Sequence, residues 1–106
     1  LEKEYVYILM FDSKHKLLKD VRLSEGTVNS SLLSPREVFT TALKFDAVYI
    51  VLVHNHPSGD PSPSRQDIEI TDRVSSAGRM IGIELSDHII LGNNCYVSLA
   101  ERGIIR

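Results

Sequence analysis

Apolar residues recur along this chain in two rhythms, and the switches between them outline the fold. Tyr5 to Phe11 is aromatic and β-branched, the composition of a strand. Asp12-Ser13-Lys14-His15-Lys16 is a polar turn, so Leu17 to Leu23 is predicted to return as the second arm of a hairpin. Ser34-Pro35-Arg36-Glu37 then reads as a helix start, with Ser at the N-cap, Pro at the first helical position and Glu three residues after the cap. Val38, Phe39, Ala42 and Leu43 follow at helical spacing and carry that helix to about Phe45, one face on a sheet. Ala47 to Val53 has the length and β-branched content of a buried central strand.

A second cap signature, Ser64-x-x-Asp67, opens a helix with Ile68, Thr71, Val74 and Ala77 on one face, predicted to stop near Gly78. Ile81 to Leu85 and His88 to Leu91 read as short strands. Gly92-Asn93-Asn94 then turns the chain into Cys95 to Leu99. Hairpins with two interposed helices predict an α/β (α+β) domain: a mixed, mostly antiparallel sheet with helices packed on it. No repeat, low-complexity tract or interdomain linker interrupts this pattern.

Composition narrows the class. At 106 residues the chain is long enough for one core and not for two. Its 12 Lys and Arg stand against 14 Asp and Glu, without a basic cluster, which argues against a nucleic-acid surface. No apolar run approaches the roughly 20 residues of a membrane span, and no signal peptide is visible. One cysteine, Cys95, rules out an internal disulfide and fits a reducing cytoplasm; it is expected as a small, partly buried strand residue.

The candidate chemistry lies in His54-Asn55-His56-Pro57-Ser58-Gly59-Asp60-Pro61-Ser62-Pro63-Ser64-Arg65-Gln66-Asp67. Strand side chains alternate faces, so His54 and His56 project the same way if the strand reaches them. Two imidazoles on one side suit a borderline metal such as Zn²⁺, and Asp67 supplies a third ligand once the loop folds back. Two His and one carboxylate leave a tetrahedral position open, the arrangement of a catalytic rather than a structural zinc. Asp67 sits in the first turn of its helix, where the macrodipole favours an ionised carboxylate. It can also serve as the cap partner of Ser64, one oxygen for each role. Pro57, Pro61 and Pro63 stiffen the loop that brings it back. Asp60 competes as an acid but stands in Gly-Asp-Pro turn chemistry, and ranks behind Asp67. His88 lacks a neighbouring ligand spacing, so Asp87-His88 reads as a supporting or fold-specific polar pair. His15, in a Lys-rich turn, reads as solvent-exposed.

His54-x-His56-Pro57 followed by Pro63-Ser64-x-x-Asp67 resembles the JAMM motif of MPN (JAB-type) metalloproteases. The fuller string from His54 to Ser64, with Pro35-Arg36-Glu37-Val38-Phe39 upstream and Asp87-His88-Ile89-Ile90 downstream, resembles the bacterial RadC family. The likeness runs from about Glu4 to about Gly103. It implies an MPN, cytidine-deaminase-like fold, a Zn²⁺ site on His54, His56 and Asp67, and a zinc metallopeptidase or isopeptidase-like hydrolase acting on a peptide or protein. It further implies that Glu4, ahead of the apolar run Tyr5 to Phe11, is the general acid/base; Glu2 and Glu25 are the alternatives. Ser64, an N-cap by its own pattern, would donate to the oxyanion of the tetrahedral intermediate. The chain begins at Leu1, and residues 1–106 are expected to be the C-terminal MPN part of a longer RadC-like protein with a helix-hairpin-helix-like segment ahead of it. Competing readings are a non-enzymatic DNA repair or recombination module and an MPN scaffold that binds partners. An apolar edge at Tyr5 to Phe11 would allow a homo-oligomer.

Overall fold

β1 (Glu4–Phe11) and β2 (Leu17–Gly26) form the expected antiparallel hairpin in a computed structural model that describes residues 3–26 and 33–105. Asp12 makes the turn: its Oδ1 accepts the Lys14 and Lys16 amides at 2.8 and 2.9 Å, and His15 takes a left-handed backbone at φ 63°. Helix α1 (Pro35–Lys44) starts where the cap predicts, with Ser34 accepting the Glu37 amide at 3.2 Å and Pro35 opening the first turn. β3 (Tyr49–Asn55) begins two residues later than expected and runs on through His54. Helix α2 (Arg65–Ile81), β4 (Glu84–Leu91) and β5 (Tyr96–Ser98) complete the chain.

The five strands form one sheet in the order β2-β1-β3-β4-β5. β3 and β4 are parallel, joined through α2, and the other neighbours are antiparallel. The mixed, mostly antiparallel sheet with two helices packed on it is the expected architecture. β1 is interior, flanked by β2 and β3, so the free edge expected at Tyr5 to Phe11 does not exist; β2 and β5 are the edges. Among the described residues, no helix is long and apolar enough to cross a membrane.

Alternation decides what each strand buries. Val6, Ile8 and Met10 stand opposite His54, Leu52 and Ile50, and all six are buried. The core continues onto Val38, Phe39 and Ala42 of α1 and Val74 of α2. His54 therefore occupies the last core-facing position of β3 rather than a solvent edge.

Three expectations for the second half are corrected. α2 continues past Gly78 to Ile81 and is capped by Gly82, at φ 92° with its amide on the Gly78 carbonyl. Gly78 is there for contact: a Cβ would run into the Ile83 carbonyl and come within 3.3 Å of Phe39 Cζ. The two short strands expected at Ile81 to Leu91 are one strand, β4, with an irregularity. Ile50 pairs with Leu85 but Val51 pairs with Asp87, so Ser86 is an extra residue. Strict alternation from Leu85 would turn Asp87 toward the core; the extra residue turns His88 there instead, opposite Leu52. Cys95 is exposed and lies outside β5, contrary to the partly buried strand position expected.

Candidate metal centre

Three elements deliver the site. β3 presents His54 at its end and His56 one residue beyond; the loop 57–63 folds back; and the first turn of α2 brings Asp67 between the two imidazoles. The carboxylate is placed by a reciprocal cap, in which the Asp67 amide donates to Ser64 Oγ at 3.0 Å and the Ser64 amide donates to Asp67 Oδ2 at 2.8 Å. The loop is pinned to the β4–β5 turn by the Asn93 amide, which donates to the Gly59 carbonyl at 2.8 Å. A Cβ on Gly92 would stand 2.5 Å from that same carbonyl, so glycine permits the approach.

Asp67 Oδ1 lies 3.3 Å from His54 Nε2, and Asp67 Oδ2 lies 3.0 Å from His56 Nε2. Glu4 joins the group from the start of β1, with Oε2 3.8 Å from His54 Nε2. Glu4, His54 and His56 each offer a donor atom within 4.8 Å of the others. The far nitrogens are already engaged. His56 Nδ1 donates to the Asp60 carbonyl at 2.9 Å, and His54 Nδ1 lies 2.7 Å from His88 Nε2. Engagement of Nδ1 on each ring leaves the Nε2 atoms converging on the carboxylates.

Electrostatics separate the two acids. Burial opposes ionisation of Asp67, but hydrogen bonding to His54 and to Ser64 outweighs it and holds the carboxyl far below the usual carboxylate range. Burial pushes Glu4 the other way, above its ordinary value, with His54 and His56 opposing the rise. An ionised carboxylate facing two imidazole nitrogens gathers electron-rich atoms around one point. Such atoms stay together only through a shared proton or a cation, and nitrogen and oxygen donors of this kind suit Zn²⁺. The residues fit a metal.

The structure thus brings together Glu4, His54, His56, Ser64 and Asp67. It leaves Asp60 outside: its side chain is exposed and accepts the Ser62 amide at 3.0 Å, while its backbone carbonyl is what orients His56. Glu2 and the side chain of Glu25 lie outside the described residues. His15 is exposed, as expected, and stacks on Tyr49 at 4.1 Å.

His88, read as a supporting or fold-specific polar residue, does support the site, through His54, a partner the sequence did not indicate. It is 1% exposed, lies against His54 and meets Thr71 Oγ1 through Nδ1 at 2.7 Å. Burial and the neighbouring His54 hold its pKa down to about 3, so it is neutral. Asp87 does not pair with the His88 ring; it accepts the His88 and Ala100 amides and the Ser98 hydroxyl, tying β4 to the chain after β5. Asn55 was missed as a contributor, although it stands between the two histidines. The partners of both residues are set by tertiary contacts.

Comparison with known proteins agrees with this geometry. A family model described as a RadC-like JAB domain matches residues 1–104. A UPF0758 protein of Geotalea uraniireducens is 50% identical over 103 residues, covering 97% of this chain and 45% of that protein. A UPF0758 protein of Alkaliphilus metalliredigens is 50% identical over 105 residues, 99% of this chain and 45% of its own length. One from Pelobacter propionicus is 48% identical over 103 residues, with shares of 97% and 45%. The chain thus spans less than half the length of these curated relatives. The sheet, the convergent donor set and the match over nearly every residue have one reading: this chain belongs to the RadC-like JAB domain family.

Proposed function

We propose that this domain is a zinc-dependent hydrolase of the JAMM type, a metallopeptidase or isopeptidase-like enzyme that cleaves an amide bond. His54, His56 and Asp67 are the protein ligands, Glu4 is the general acid/base, and Ser64 serves the oxyanion. One observation carries the reading: two Nε2 atoms and an ionised carboxylate converge while each ring's Nδ1 is already bonded. Zinc held there would supply Lewis acidity, polarising a scissile carbonyl and lowering the pKa of a water toward ~7.

Each residue has a task that its surroundings suit. Glu4, its pKa raised by burial, accepts a proton from the attacking water and returns it to the leaving amine. Asp67 stays ionised as a ligand oxygen must, with Oδ1 turned to His54 and Oδ2 steadied by the Ser64 amide. The Ser64 hydroxyl oxygen accepts the Asp67 amide at 3.0 Å, and its proton is the one donated to the oxyanion as charge develops.

The test is cleavage of a mixed peptide and isopeptide library by the zinc-loaded chain, read by mass spectrometry. Cleavage by wild type that stops with chelator, and is lost in Glu4→Gln, supports the reading. A library left intact by zinc-loaded wild type contradicts it.

A further inference from the structure

Helix α2 reaches the candidate centre twice, once through the Asp67 carboxylate and once through the Asp67 backbone carbonyl. That carbonyl accepts the Thr71 hydroxyl at 2.6 Å. A hydroxyl has one proton, so Thr71 Oγ1, having given it to Asp67, can only accept from its other partner, His88 Nδ1, at 2.7 Å. His88 then carries its proton on Nδ1, and Nε2 of the neutral ring is a bare acceptor. His88 Nε2 lies 2.7 Å from His54 Nδ1, which must therefore be the protonated nitrogen of His54. What remains on His54 is Nε2, 3.3 Å from Asp67 and 3.8 Å from Glu4, where it either shares a proton with the Asp67 carboxylate or gives its lone pair to a cation.

The opposite ordering has a specific fault. If the hydroxyl donated to His88, two oxygens 2.6 Å apart at Thr71 and Asp67 would face each other with no hydrogen between them. Burial makes that ordering costly, because Thr71 is 0%, His88 1% and His54 5% exposed, and water cannot stand in. His56 needs no relay, since its Nδ1 donates straight to a backbone carbonyl.

We propose that Thr71 and His88 are positioning residues that hold a ring proton of His54 on Nδ1, leaving Nε2 as the nitrogen turned to the metal centre. The consequence for zinc rests on the ligand role given to His54 above; the tautomer itself does not. A ligating histidine held by a bond on its other nitrogen is oriented and made more basic, and loss of such a partner typically weakens metal binding by ~10–100-fold.

Two measurements decide it. Long-range ¹H–¹⁵N correlation on the zinc-free protein at pH 7.5 should find a proton on Nδ1 of both His54 and His88. A His54 or His88 ring whose Nδ1 carries no proton overturns the proposal. Zinc affinity, by competition with a chromophoric chelator, should fall by ~10–100-fold in Thr71→Val and stay near wild type in Thr71→Ser, which restores the hydroxyl. Equal affinity in wild type and Thr71→Val overturns the proposal, as does a Thr71→Ser protein as weak as Thr71→Val, since packing would then be the cause. Should wild type take up no zinc, the hydrolase reading falls, and the ring protons alone settle the tautomer.

Discussion

The side-chain amide of Asn55 holds the backbone of Glu4 from both sides: Oδ1 accepts the Tyr5 amide at 2.7 Å and Nδ2 donates to the Lys3 carbonyl at 3.0 Å. The backbone ladder between β1 and β3 ends one step earlier, at Val6 and His54. A side chain thus continues the pairing and keeps Glu4 beside the imidazoles. Asn55→Ala should lose about 1–2 kcal/mol in urea unfolding, the range for two bonds of which one is exposed, with zinc uptake unchanged. A loss below about 0.3 kcal/mol would show that the grip contributes nothing.

Two glycines at the end of α2 should answer differently to alanine. At Gly78 a Cβ meets the backbone of Ile83, which cannot yield, and the cost should be about 2 kcal/mol or more. At Gly82 nothing lies within 4 Å, and only the left-handed backbone opposes a side chain, at about 1 kcal/mol. Thermal unfolding of the two variants checks the order. A Gly78→Ala protein stabilised by better helix propensity would contradict the close contact.

Stability of the zinc-free protein should fall with acidification well before carboxylates titrate. His88 is held at about 3 against an ordinary 6.5, so between those values the unfolded chain binds a proton that the folded chain refuses. The folded state therefore loses ground as pH drops, with a limiting slope of about 1.4 kcal/mol per pH unit for one proton. Asp67, also depressed, adds to the loss below 3.8. Glu4, raised, acts in the opposite sense: its contribution is present below 4.5 and lost as pH rises through its folded value. Urea midpoints between pH 7.5 and pH 4 test this, and a flat profile down to pH 5 would contradict a neutral buried His88.

Base and ligand separate by mutation. Glu4→Gln removes a proton acceptor and no proposed zinc bond, so it should keep its metal while losing hydrolysis by ~10²-fold or more. If Glu25→Gln loses hydrolysis and Glu4→Gln keeps it, the base is Glu25.

The parts of this domain that could be read in advance are those with local signatures. Both helix starts announce themselves through Ser34-Pro35 and Ser64-x-x-Asp67, and the hairpin through its five-residue polar turn. His54, His56, Asp67 and Ser64 lie within fourteen residues, where spacing alone suggests convergence. The hidden parts depend on distant contacts. His88 faces His54 because one extra residue in β4 reverses the alternation, and periodicity from Leu85 points it the other way. Asn55 grips a backbone 50 residues away. Gly78 resembles a helix stop because a glycine needed for close approach and one needed for a left-handed cap look alike in sequence.

Zinc stoichiometry bears most directly on the central claim. Elemental analysis after exposure to zinc and gel filtration should find about one Zn²⁺ per chain in wild type and little in His54→Ala, His56→Ala or Asp67→Asn. Wild type and His56→Ala retaining zinc equally would contradict the account.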